Sequence, residues 1–150
     1  MRGKKWLGIA MIATSLTTVV GVAVATTGSG FTVTPIVSAE VADRIRITQA
    51  EHKSTVVADF TFEPGGTTGW HSHPGPTMVL VKEGEFTLYR DKHGKCRTKT
   101  YGPGDGFVER PSSVHIGVNE GATPVRLVAV FFRIADDGVT RIDKADPGVC

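Results

Sequence analysis

No aspartate or glutamate occurs before Glu40. The basic residues of that segment, Arg2, Lys4 and Lys5, therefore stand without counter-charge, and Leu7 to Ala25 carries no charge at all. A basic start, an apolar stretch and then small residues is the layout of a secretory signal peptide. Ala23-Val24-Ala25 and Val37-Ser38-Ala39 offer two cleavage sites. The uncharged stretch is also long enough, by the minimum of about 18 residues, to span a membrane. An uncleaved anchor is therefore the alternative, weakened by Thr14, Ser15, Thr17 and Thr18. Either way the basic end stays inside and the domain beyond it is expected outside. The missing polar face argues against a buried core helix.

Positive charge is scarce once this leader is set aside. Removing Arg2, Lys4 and Lys5 from the 17 basic residues leaves 14 against 15 acidic ones, all of them at or beyond Glu40. The basic character of the whole chain thus belongs to its N-terminus, and no nucleic-acid footprint remains. Arg90, Lys92, Lys95, Arg97 and Lys99 cluster around Gly94 and read as a solvated hairpin rather than an anion site. Cysteine is also scarce, with only Cys96 and Cys150. Export favours a disulfide, and two cysteines permit one intramolecular pairing; two free thiols are the alternative. No second motif surrounds Cys96 to suggest a metal role.

A helical period is absent after Ala39. Thr26 to Ala39 is rich in Thr, Gly and Ser and reads as a linker or the tail of the signal. The chain thus divides into a segment 1–39 and a single domain over 40–150. Within the domain, alternation at period two predicts strands. Ile45 and Ile47 mark one, and Val56, Ala58, Phe60 and Phe62 a second. Trp70–His73 is a short extended segment, Thr77–Val81 a buried strand, and Glu85–Arg90 pairs back with Phe86 and Leu88 on one face. Cys96–Tyr101, Phe107–Glu109, Val114–Val118 and Pro124–Phe132 come next, while Asp136 onward is polar and is expected to wrap the surface. Short strands separated by Gly/Pro turns predict an all-β antiparallel sandwich or barrel.

The chemistry concentrates in Gly65–Gly84. His71 and His73 are two apart, so in an extended strand both imidazoles share a face. Neutral imidazole is the commonest side-chain metal ligand, but such a metal wants three or four protein ligands. His115 is the third candidate, brought opposite the first pair across a sandwich or barrel.

These residues resemble the two sequence motifs of the cupin superfamily. Gly65, His71, His73 and Gly84 match the first motif, G-x5-H-x-H-x3/4-E-x6-G, with Thr77 where its Glu is usual. Gly104, His115 and Asn119 match the second, G-x5-P-x-G-x2-H-x3-N, with Arg110 and Ser112 where Pro and Gly are usual. The resemblance covers Thr55 to Arg133, and the ending RIDKADPGVC with Cys96 is similar to small secreted actinobacterial cupins. It implies a double-stranded β-helix, a jelly-roll barrel, after the signal or anchor helix. It also implies a divalent transition metal (Fe, Zn, Cu, Ni or Mn) on His71, His73 and His115, with an open coordination position. Without the motif's carboxylate, Mn(II) binding is expected to suffer most.

Around that metal, Thr77 is expected to hold a water or nothing. Glu109 and Glu63 are the nearest carboxylates: either becomes a supporting partner or base if it faces inward, but Glu109 is expected to face water beside Arg110 and Glu63 to end a strand. Trp70, Met78 and Phe107 are candidate pocket walls or core. Asn119 is expected to form a turn, and His52 and His93 are expected on the surface. The function implied is a metal-dependent oxygenase or isomerase on a small molecule. The alternatives are a non-catalytic metal- or ligand-binding module and a bare scaffold. The partner is then a small-molecule ligand, with no nucleic acid, a membrane only through an uncleaved leader, and a homodimer among the assemblies admitted.

Overall fold

The computed structural model describes residues 34–48, 53–134 and 138–150. The signal or anchor helix expected over Leu7–Ala25 lies outside the described residues, as does His52. Thr34–Cys150 forms one compact unit. The regular elements among the described residues are all strands: β1 (Glu40–Val41), β2 (Ser54–Phe62), β3 (His71–Ser72), β4 (Thr77–Glu83), β5 (Phe86–Asp91), β6 (Cys96–Tyr101), β7 (Asp105–Glu109), β8 (His115–Val118), β9 (Val125–Ile134) and β10 (Ile142–Asp143). They form two five-stranded sheets, ordered β1-β7-β4-β9-β2 and β10-β3-β8-β5-β6.

The period-two pattern becomes the core directly. On β4, Thr77, Val79 and Val81 are buried while Met78, Leu80 and Lys82 between them are partly exposed. Phe107, Leu127, Ala129 and Phe131 of the same sheet meet Phe86, Leu88 and Tyr101 of the other, with Val56, Ala58, Phe60 and Phe62 packed against them. Fully burying such a side chain contributes about 1.5–3 kcal/mol each. The glycines shared with the first and second motifs are turn residues: Gly65, Gly84 and Gly104 have φ of 77°, 74° and 87°, a region that favours glycine. Gly84 is held for a second reason, since a Cβ there would lie 2.7 Å from the Pro124 carbonyl oxygen.

Two expectations are corrected. Ile45 and Ile47 do not form a strand and are 37% and 38% exposed; alternation alone gives a strand nothing to pair with, and no strand among the described residues pairs with them. The strand of that region is β1, whose two residues pair in parallel with Asp105 and Gly106 of β7. The polar C-terminal segment is not merely a surface wrap either. Ile142 and Asp143 pair with Ser72 and His71 of β3, which carries the tail to the histidines. The tail's end is fixed by a Cys96–Cys150 disulfide.

Candidate metal centre

His71 on β3 and His115 on β8 are register partners across the antiparallel pair, so their side chains emerge side by side. His73 comes two residues after His71. The ring centroids are 4.8 Å (His71–His73), 4.3 Å (His71–His115) and 5.2 Å (His73–His115) apart. One ligand atom from each ring lies within 4.8 Å of the others, and all three residues are buried.

Each ring is oriented through its Nδ1. His71 Nδ1 lies 2.9 Å from the Gly69 carbonyl oxygen, His115 Nδ1 2.9 Å from that of Ser113, and His73 Nδ1 2.6 Å from that of Thr140. A carbonyl only accepts, so each Nδ1 donates and, in the neutral ring, Nε2 carries the lone pair. This is the arrangement that fixes a metal-binding histidine's tautomer. Burial, reinforced by the neighbouring His115, lowers the His71 pKa to about 4, which keeps that ring in its ligating form. Thr140 belongs to the tail expected only to wrap the surface. A backbone carbonyl has no residue signature, so only the fold could reveal it.

Glu109 is the principal correction. It does not face water: it is 6% exposed, while its neighbour Arg110 is outside. Its Oε2 lies 2.9 Å from His73 Nε2 and its Oε1 3.0 Å from His115 Nε2. Burial alone would raise its pKa, but positive charge on the side of His115 and His73 that faces it outweighs that and holds the carboxyl below the usual range. A usable signal existed, because Glu109 shares strand parity with Phe107, which is wholly buried. Thr77, at the motif's glutamate position, is the cross-strand partner of Glu109.

The donor set suits a divalent metal. Thr77 Oγ1 and His115 Nε2 are both buried without a hydrogen-bond partner, and both belong to this cluster. Glu109 Oε1 lies 3.0 Å from His115 Nε2 without making a hydrogen bond to it. Unpartnered buried polar atoms are costly, and a bound cation would satisfy the imidazole nitrogen.

A cavity of about 130 Å³ opens beside the histidines, walled by Phe60, Phe62, Phe86, Leu127 and Phe131, with Thr68, Thr140 and Arg141 as its further polar members. Arg141 is engaged by Asp143 at 2.7 Å. Trp70, Met78 and Phe107 are not among its walls. Met78 falls on the opposite parity of β4, and Phe107 packs on Tyr101 with centroids 4.3 Å apart. Glu63 sits exposed in the turn after β2, and His93 is exposed at the hairpin tip. Asn119 does form a turn, its Oδ1 accepting from Gly121 N, but it is also fully buried and donates to the carbonyls of Phe62 and Thr123.

The family profile described as "Cupin domain" matches residues 58–131. A germin-like protein, subfamily T member 3 of Arabidopsis thaliana, is 40% identical over 76 residues, covering 49% of this chain and 32% of that protein. Germin-like protein subfamily 2 member 2 of the same plant is 34% identical over 80 residues, covering 52% of this chain and 36% of that one. The chain thus spans about a third of those relatives. Among solved structures, an oxalate oxidase superposes with a TM-score of 0.50 at 25% identity, covering 59% of this chain and 45% of that one. Oxalate decarboxylase of Bacillus subtilis gives a TM-score of 0.53 at 24% identity, covering 61% of this chain and 24% of that one, a likeness of fold alone. With the paired sheets, the motif glycines and the three clustered histidines, these matches show that the chain belongs to the cupin superfamily.

Proposed function

We propose that the chain is an exported, divalent-metal-dependent cupin that acts on a small, largely apolar molecule as an oxygenase or isomerase. One observation carries the reading: three buried imidazoles, each locked through Nδ1 to a backbone carbonyl, bring one ligand atom apiece within 4.8 Å of the others beside a cavity. His71, His73 and His115 would hold the ion. A bound divalent metal would supply Lewis-acid polarisation and, if redox-active, one-electron exchange. The chain's own part is to orient the three rings and to surround the ligand with phenylalanine walls and the side chains of Thr68 and Arg141.

The relatives' names supply support and a contrast. An Mn(II) centre is named for the B. subtilis oxalate decarboxylase, whose likeness is one of fold, and the divalent metal proposed here is supported by the three clustered histidines. Oxalate is a small dianion, whereas this cavity has Phe60, Phe62, Phe86, Leu127 and Phe131 among its walls and its one arginine is paired with Asp143. An apolar substrate fits those walls better. The disulfide supports export, because such bonds persist in oxidising compartments.

A second reading, a binding module without turnover, is favoured by one feature. Apart from the histidine–Glu109 cluster, the cavity's polar walls are two threonines besides Thr77 and an ion-paired arginine, none of them a ready general base. Metal analysis of protein purified without an affinity tag, followed by screening for oxygen consumption and isomerisation with small apolar substrates, separates the two. Stoichiometric metal with turnover supports the enzyme, and metal without turnover supports the binder. Protein that takes up no stoichiometric metal would overturn the enzyme and the metal-binding module, leaving only a module for a small ligand.

A further inference from the structure

We infer that Glu109 is the fourth protein ligand of the metal, so that this cupin supplies its carboxylate from β7 instead of from the motif position on β4. The inference rests on the three-histidine reading and adds a ligand to it.

The register makes the exchange geometrically possible. Thr77 and Glu109 are directly opposed on antiparallel β4 and β7. Cβ atoms of opposed residues lie about 4.5–5.5 Å apart, within the span of a glutamate side chain. A carboxylate rooted on either strand therefore reaches the same space. Thr77 is short enough to leave that space open, and its buried hydroxyl has no partner.

The contacts themselves call for a cation. Nδ1 of His73 and of His115 already donates to a carbonyl. In the neutral rings, each Nε2 therefore presents a lone pair. Each also faces a carboxylate oxygen, at 2.9 Å and 3.0 Å. Lone pair against anion is repulsive, so something positive must lie between them. Two extra protons would serve, at the cost of burying two imidazolium ions. One divalent ion serves both rings and His71 as well. The two carboxylate–imidazole spacings also suit one coordination shell. With metal–ligand bonds of about 2.1 Å, adjacent octahedral positions are about 3.0 Å apart.

The resulting set, three imidazoles and a carboxylate, has a consequence opposite to the one the motif alone implies. A hard anionic oxygen is present, so Mn(II) is not disfavoured by its loss.

The test is titration of the untagged, metal-stripped protein with Mn(II), together with metal-edge X-ray absorption of the loaded protein. Glu109→Gln keeps the shape and removes the charge. It is expected to lower Mn(II) affinity by about 100-fold, the upper end of what even supporting partners cost, and to remove the carboxylate from the coordination shell. Adding Thr77→Glu to that variant is expected to recover at least about tenfold by returning a carboxylate to the same space. Two failures are distinguishable. Stoichiometric, equally tight metal in wild type and Glu109→Gln, or a wild-type shell without carboxylate, overturns this inference and leaves the three-histidine site standing. No metal in the wild type overturns the metal reading itself.

Discussion

Cutting the Cys96–Cys150 bridge should destabilise the domain by an amount set by the loop it closes. The bonded residues are 54 apart in sequence. In the chain-entropy treatment, closing a loop of that length removes about 14 cal/mol/K from the unfolded chain, or about 4 kcal/mol at room temperature. The described residues of the tail are mostly exposed, and its contacts include the two-residue pairing of β10 with β3, Lys144 N donating to the Trp70 carbonyl and the Thr140 carbonyl accepting from His73. Little folded-state packing is therefore lost with the bond, and the unfolded-state term should dominate. Cys96→Ser, Cys150→Ser and the double variant should lose the same amount, about 2–4 kcal/mol, because each opens the same loop. Urea denaturation of the oxidised and reduced wild type beside the three variants measures it. With a slope of about 2 kcal/mol/M, the midpoint should fall by roughly 1–2 M. Coincident transitions for the oxidised and reduced protein would refute the reasoning, as would a double variant markedly worse than either single one.

Other outcomes rest on particular contacts. His115→Ala should abolish stoichiometric metal while His93→Ala, at the exposed hairpin tip, leaves metal content unchanged; elemental analysis reads both, and a His115→Ala protein that binds metal like the parent would refute the site. Asn119→Ala removes three side-chain hydrogen bonds and strands the Phe62 and Thr123 carbonyls. At about 1 kcal/mol for each bond, it should cost about 2–4 kcal/mol in chemical denaturation, and a loss under about 1 kcal/mol would return Asn119 to a simple turn residue. Gly117→Ala places a Cβ 2.2 Å from Phe86 Cζ. It should destabilise by about 1–3 kcal/mol as Phe86 is displaced, and unchanged thermal stability would show that the ring has room to move.

The all-β architecture was legible in the chain because burial on one face of a strand imposes a period of two. Val79 and Val81, or Phe86 and Leu88, carry their inward direction in their spacing. The motif glycines were legible too, since positive φ is costly for other residues. So were the three histidines, whose spacings place them together in any fold that pairs β3 with β8. The disulfide was the single pairing two cysteines allow. Other features depended on which segments meet. Ile45 and Ile47 alternate like a strand but acquire no partner strand among the described residues, and pairing is long-range. Glu109 reads as a surface charge next to Arg110 until β7 pairs with β4 and turns its side chain onto two imidazoles. The Thr140 carbonyl that orients His73 is backbone, common to every residue type, and only the course of the tail selects it. The local chain determined which atoms were available to the site; tertiary pairing decided their positions, because a two-residue period fixes the face of a strand and says nothing about the strand it will lie beside.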